Sequence, residues 1–232
     1  MLRQKIFDLL KSPDFEKELD SLAEIPIRKV LSPLFSALCS EEEEIKWRAV
    51  SIIGVGVSSL AEADMDGARD ILRRMMWSLN EESGGIGWGM PEAMGEILAR
   101  NENLAQEFTP LLISYIRPDG NFLEFELLQR GVLWGIGRLA EVQPQLIQSL
   151  GAERHLRPYL DSRDSSVRGL AAWILGFVGG GESIPHLSNL LQDGAEIKLY
   201  KDHKFQFARV REMVGKSLAL IKRRAEPGGK EC

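Results

Sequence analysis

The chain has 232 residues and a formal net charge of −5 at pH 7. Hydrophobic residues make up 44% of it and charged residues 27%, as in an ordinary soluble globular protein. Proteins that coat nucleic acid usually carry an excess of basic residues, so this charge argues against that class of partner. No run approaches the roughly 18 consecutive apolar residues of a membrane-spanning helix, which argues against a membrane partner.

The two cysteines, Cys39 and Cys232, lie far apart and neither belongs to a C-x-x-C pair. This usage argues against a disulfide framework and a structural zinc site, and it is typical of a reducing compartment. The N-terminus lacks the uninterrupted apolar core of a signal peptide. We therefore expect a cytoplasmic protein with no metal and no cofactor.

Two short helices are predicted first, over Leu2–Leu10 and Asp14–Ala23, within an N-terminal cap that spans residues 1–24. Five similar segments then recur along the chain. Their first positions are Arg48, Gly87, Gln129, Arg168 and Arg211, at spacings of 39, 42, 39 and 43 residues. A steady period of about 40 residues with two helices in each period is typical of a helical-hairpin repeat protein.

A small residue stands eight positions after the start of each segment. These residues are Gly56, Gly95, Gly137, Gly176 and Ala219. Because glycine inside a helix costs about 1 kcal/mol relative to alanine, its recurrence indicates that helices approach closely there. The partner helix of each repeat is predicted at Ile27–Leu38, Gly67–Leu79, Leu104–Ile116, Ala152–Leu160 and Ser183–Leu191.

The remaining segments are predicted as loops. No strand is predicted, and Ile197–Phe207 is interpreted as a loop that leads into the last helix. The glycine-rich stretch 83–92 is interpreted as a long turn before a helix that begins near Trp88, in preference to an anion-binding loop. The tail at 226–232 is predicted to be disordered.

The segment Val167–Gly176 resembles the second helix of a HEAT repeat, including the small variant called PBS-lyase HEAT-like, of bacterial type. As an architecture, the resemblance covers residues 25–223. It implies an all-α fold: a right-handed α-α superhelix, or HEAT/armadillo-like solenoid, of about five helical hairpins in one domain over residues 1–225. Such solenoids usually bind proteins on the concave face, which the second helices line. The fold itself implies no reaction.

The second helices predict a binding groove. Residues four apart are neighbours on a helix, so the positions one, five and nine after each segment start share a face. The middle repeats place eight aromatic or charged residues in those positions: Trp88, Glu92, Glu96, Arg130, Trp134, Arg138, Trp173 and Phe177. Tryptophan and arginine are enriched in binding hot spots, so this set predicts a groove for a protein or peptide partner.

Other interpretations stay open. The tryptophans could pack between repeats, with Glu92 and Glu96 paired to Arg130 and Arg138. A small-ligand or catalytic site could instead use Glu92 or Glu96 with the tryptophans. Five basic residues near the last repeat could contact phosphate or an acidic partner, or could be a solvated loop: Lys198, Lys201, Lys204, Arg209 and Arg211. With no catalytic grouping in the sequence, a non-catalytic scaffold is favoured over an enzyme. The sequence does not specify an oligomeric state.

Overall fold

The computed structural model describes residues 2–17, 19, 26–79 and 87–226. Its helices are α1 (Leu2–Leu10), α2 (Ile27–Leu38), α3 (Glu43–Ala63), α4 (Met65–Leu79), α5 (Met90–Arg100), α6 (Glu102–Ser114), α7 (Glu126–Val142), α8 (Pro144–Ser149), α9 (Glu153–Leu156), α10 (Ser165–Val178), α11 (Ser183–Ser188) and α12 (Val210–Ala225). A 3-10 helix at Arg157–Asp161 follows α9, and strands β1 (Glu196–Lys201) and β2 (Lys204–Arg209) precede α12.

The chain divides into two compact units, Met1–Phe108 and Thr109–Cys232. In the first unit the long helix α3 packs against α2, α4 and α5. Gly56 of α3 lies where an added Cβ would be 2.7 Å from the side chain of Ile27, so α3 and α2 approach closely at the predicted small residue. Of the two predicted cap helices, the first matches α1; residues 18 and 20–23 of the second lie outside the described residues.

Helix α5 begins after a left-handed residue. Gly89 has φ of 73°, Met90 is the first helical residue, and Pro91 stands in the first turn, where its missing N–H is not needed. The predicted start near Trp88 is thus correct to within two residues. Residues 80–86, which include most of the predicted glycine-rich turn, lie outside the described residues.

In the second unit α10 is the central helix, packed between α7 and α12. Small residues allow both contacts. Gly137 of α7 lies against the ring of Trp173, and an added Cβ at Gly176 would be 3.1 Å from the backbone of Ser217. In the fifth repeat the corresponding Ala219 is exposed, because no further helix packs on that side of α12 among the described residues.

The predicted partner helices of this unit are shorter than expected. Ala152–Leu160 is divided into α9 and the 3-10 helix, since Pro158 has no N–H to continue an α-helix. Helix α8 at Pro144–Ser149 was not predicted, and α11 ends at Ser188. Of the predicted tail, residues 227–232 lie outside the described residues.

The prediction of a loop at Ile197–Phe207 is wrong, because this segment lies in an antiparallel β-hairpin. Ile197 and Leu199, two residues apart, are buried, as the period of two of a strand requires. The turn residues Asp202 and His203 have φ of 50° and 60°, the left-handed pair of a two-residue type I′ turn. This turn usually contains glycine or asparagine, so the Asp-His pair gives no sequence signal for a hairpin.

A pair of glycine variants tests the close approach of α7 and α10. Gly137→Ala would place a methyl group inside the van der Waals radius of the Trp173 ring, so we expect a loss of about 1–3 kcal/mol in the free energy of unfolding. Gly215→Ala in α12 has nothing within 4 Å of the new methyl group. It should stabilise by up to about 1 kcal/mol through helix propensity alone.

Urea denaturation of both variants beside the parent chain measures these changes. Equal behaviour of Gly137→Ala and Gly215→Ala would contradict close packing at Gly137.

Candidate functional site

The predicted groove residues of the second unit lie on α7 and α10. Trp173 and Phe177 of α10 are half-buried, as is Arg138 of α7, and Arg130 is exposed. Trp134 differs from these, with only 6% of its surface exposed. We call Arg130, Arg138, Trp173 and Phe177 the α7–α10 face.

Trp134 is a buried anchor for the hairpin, which corrects its predicted place in an open groove. Its indole Nε1–H donates to the backbone oxygen of Tyr200 in β1 at 2.9 Å. A buried indole N–H without an acceptor would be costly, so this bond fixes β1 against α7. A second link joins Lys201 of β1 to Glu141 of α7.

The hairpin also covers part of α10. Gly169, which occupies the first position of the predicted α10 row, lies against the side chain of Ile197. Ile197 and Leu199 are buried there, and burying each such side chain contributes about 1.5–3 kcal/mol. The face that the sequence predicts as open is therefore partly occupied by the chain itself.

Trp173 and Phe177 form an aromatic pair on the part that stays accessible. Their ring centroids are 6.4 Å apart and their planes are inclined by 78°, an edge-to-face arrangement. The Trp173 ring also packs over Gly137. Both readings of the sequence thus apply to Trp173, which packs between repeats and keeps part of its surface exposed.

Arg130 is positioned by Asp164, the N-cap residue just before α10. Its Nε and Nη2 atoms donate to one carboxylate oxygen of Asp164, at 2.8 and 2.5 Å. The other oxygen of Asp164 accepts the backbone N–H groups of Ser166 and Val167, which caps α10. Burial of Asp164 acts to raise the pKa of its carboxyl, but the bonds from Arg130 and from the capping N–H groups outweigh it, and the pKa is lowered.

The carboxylates of the first unit are buried ion-pair partners, which corrects their predicted exposure in the groove. Glu92 is 3% exposed and pairs with Lys46 of α3 at 2.5 Å. Glu96 is 5% exposed, pairs with Arg100 at 2.6 Å and packs over Gly54. Both carboxylates are thus neutralised by basic side chains where α3 and α5 pack together. The alternative interpretation had paired them with Arg130 and Arg138. Trp88, just before α5, is half-buried.

A cavity of about 490 Å³ in the second unit was not predicted. It lies beside the loop before α7, and its walls include Ile116, Phe122 and Tyr159. Tyr159 donates its hydroxyl to the oxygen of Ile116 at 3.1 Å, and burial raises the pKa of this phenol to about 12. At the rim, the Nε2 atom of His155 accepts from Arg154, and burial followed by the charges of Arg154 and Arg117 lowers the pKa of the imidazole.

The described residues contain no group of three or more His, Cys, Asp or Glu side chains placed to hold a metal ion. They also contain no helix with the length and apolar character that crossing a membrane requires.

Comparison with known proteins identifies the fold. No protein-family model matches the chain. An uncharacterized protein of Archaeoglobus fulgidus is 28% identical over 111 residues, which are 48% of this chain and 54% of that protein, so the chain spans about half the length of this curated relative. A designed armadillo repeat protein matches 95% of this chain and 100% of its own, with a TM-score of 0.50 and 20% identity.

Another designed armadillo repeat protein, solved in complex with the peptide (KR)4, matches 95% of this chain and 99% of its own, with a TM-score of 0.51 and 21% identity. An engineered protein matches 96% of this chain and 58% of its own, with a TM-score of 0.53 and 18% identity. The chain has an all-α, armadillo-like solenoid fold. At these identities the likeness establishes the fold alone, and the minor hairpin is an addition to it.

Trp134→Phe tests the anchor. The variant keeps an aromatic ring and removes the N–H, so the Tyr200 oxygen loses its donor; we expect a loss of about 1–3 kcal/mol in the free energy of unfolding. Hydrogen exchange should show faster exchange in 196–209. Trp77→Phe, at a tryptophan that is 74% exposed, is the matched control and should change neither measurement. Unchanged exchange in the hairpin of Trp134→Phe would contradict the anchoring role.

Asp164→Asn tests the ion pair through its pH dependence. Because the pKa of Asp164 is lowered in the folded state, its stabilisation is complete above the unfolded value of about 3.9 and is lost as pH falls through the folded value. The parent chain should therefore be more stable than the variant at pH 7, and the difference should vanish in acid. Asparagine keeps an oxygen for the helix cap, so the comparison isolates the charge.

Urea denaturation from pH 7 downwards measures this difference. Asp70→Asn breaks an exposed pair with Arg73 and serves as control, with an expected change of at most about 1 kcal/mol at pH 7. A difference between parent and Asp164→Asn that persists undiminished at the lowest pH would contradict the assignment.

Proposed function

We propose that the chain is a non-catalytic repeat scaffold that binds a protein or peptide partner on the α7–α10 face. The observation that carries the proposal is the accessible aromatic pair Trp173–Phe177, held on second helices together with Arg130 and Arg138. Large rigid aromatic side chains beside arginines form the energetic centre of many protein interfaces. A designed armadillo repeat protein of similar fold is known in complex with a peptide, which supports the same use of this fold.

The chemistry of the face favours a partner with apolar and acidic side chains. A guanidinium has five N–H groups; Asp164 accepts two from Arg130, whose side chain is 44% exposed. The other donors can meet a carboxylate of the partner while the pair with Asp164 holds the side chain in place. The peptide bound by the designed armadillo protein, (KR)4, carries the opposite charge from the one proposed here.

Four finer expectations belong to this proposal. The period of about 40 residues favours HEAT-type over other helical repeats. We propose that residues 1–225 act as one repeat domain, and that the chain functions in the cytoplasm, in keeping with its cysteine usage. Trp88 stays a predicted contact residue on the N-terminal side of α5.

Selection from a displayed random peptide library tests the proposal. Peptides enriched on the parent chain should bind the double variant Trp173→Ala, Phe177→Ala at least about tenfold more weakly, because the aromatic centre of the interface is removed. Trp77→Ala, at an exposed tryptophan of the first unit, is the control and should bind them as the parent does.

Thermal unfolding of the double variant is measured in parallel. Enriched peptides that bind the folded double variant and the parent equally would refute the α7–α10 face as the binding surface, and so would the failure of any peptide to enrich.

A further inference from the structure

Strand β2 is an exposed sheet edge. The hairpin has two strands, and β1 faces α7 and α10. None of the six residues of β2 is buried, whereas three of the six in β1 are. Edges of this kind offer unpaired backbone groups to a further strand, so proteins usually keep them short or covered.

The register shows which backbone groups of β2 point outward. The two-residue turn closes on Lys201 opposite Lys204, and hydrogen-bonded pairs recur at every second residue from there. Phe205 and Phe207 therefore turn their N–H and C=O groups away from β1. The outer edge of β1 follows the same alternation. Tyr200 is the partner of Phe205, and its backbone oxygen points out of the hairpin to Trp134.

Those outward groups of β2 are accessible. Within the part of the chain that the structure describes, no hydrogen bond from outside the hairpin reaches the backbone of Phe205 or Phe207. The next outward N–H, that of Arg209, donates to Glu212 at 3.1 Å, which ends the accessible edge. Two residues with outward groups give four backbone positions for a short added strand.

The side chains around the edge are basic and aromatic. Phe207 is 65% exposed and lies opposite Lys198 on one face of the hairpin, next to Arg209. Residues 196–211 contain five basic and two acidic side chains, in a chain whose net charge is −5. The local charge is thus opposite to that of the whole protein.

We propose that the edge of β2 binds an extended acidic segment of a partner protein by strand addition. An added strand would pair with Phe205 and Phe207 through its backbone, place an apolar side chain on Phe207, and place carboxylates near Lys198, Lys204 and Arg209. The edge presents backbone donors and acceptors in alternation, which another polypeptide strand matches. A nucleic acid phosphate offers acceptors only, so it would leave the carbonyl groups of the edge unused. A second copy would bring basic edges together at an energetic cost.

A designed peptide tests the edge directly. The probe is a fluorescein-labelled peptide of seven residues with a central valine and three aspartates on each side, which puts carboxylates on both faces of the added strand. Its fluorescence anisotropy is followed during titration with the full chain at low and at physiological salt. Binding should weaken with salt, since the Debye length falls to about 8 Å at 0.15 M. The same peptide N-methylated at every backbone amide keeps its charge and should lose at least about tenfold in affinity.

Two substitutions at one position separate backbone from side chain. Phe207→Pro removes an outward N–H without touching a bond inside the hairpin, and prolines are tolerated on edge strands. It should weaken peptide binding at least about tenfold, whereas Phe207→Ala, which keeps the N–H, should weaken it less. Far-UV circular dichroism and thermal unfolding establish that each variant folds. If Phe207→Pro does not fold, the N-methylated peptide on the parent chain decides the question.

The edge is independent of the α7–α10 face, so the two proposals can fail separately. The variant Trp173→Ala, Phe177→Ala should bind the acidic peptide within about twofold of the parent. The strand-addition proposal is overturned by equal binding of the N-methylated and unmodified peptides, by a lack of binding at low salt, or by tighter binding of a single-stranded oligonucleotide than of the peptide. Concentration-dependent dimers that Phe207→Pro abolishes would also overturn it, in favour of a second copy at this edge.

Discussion

The close approach of second helices at small residues determines where the aromatic side chains of the second unit can lie. Because Gly137 has no side chain, the ring of Trp173 occupies the space between α7 and α10. The ring fills that space with its inner part and leaves its outer part accessible beside Phe177. The accessible aromatic pair is therefore a consequence of close repeat packing, and it lies on a rigid support.

The position of the hairpin depends in a similar way on one side chain of α7, Trp134. Trp134 is large enough to reach β1, and its indole N–H donates to the Tyr200 oxygen at 2.9 Å. The hairpin in turn covers Gly169 through Ile197 and so removes part of the second-helix surface from solvent. The α7–α10 face and the outer edge of β2 both stay accessible.

Most of the repeat architecture could be predicted from the sequence, because period and helical apolar spacing are properties of the chain itself. The starts of α2 and α5 follow from such local signals. The hairpin could not be predicted in the same way, although Ile197 and Leu199 alternate as strand residues do, since the turn is Asp-His where glycine or asparagine is usual.

The predicted exposure of Glu92, Glu96 and Trp134 was wrong, for a geometrical reason. Neighbours four residues apart share a helix face, but burial depends on what packs against that face. Glu92 and Glu96 lie one turn apart on α5 and are both covered by α3, and their ion partners are Lys46 of α3 and Arg100 of α5. Sequence spacing predicts which residues share a helix face. It does not predict which element covers that face, because the covering element, here α3 or the hairpin, is distant in the sequence.

The two accessible surfaces of the second unit would recognise a partner by different physical means. On the α7–α10 face, side chains would make the contacts, so affinity would depend on aromatic area and on how firmly Asp164 holds Arg130. At β2 the backbone would make the contacts, and affinity would depend on the rigidity of the strand. Trp134 supplies that rigidity, because it fixes β1 from the opposite side and leaves β2 with an edge that does not need to reorder when a strand is added. The same indole that closes one half of the predicted groove therefore prepares the neighbouring edge for binding.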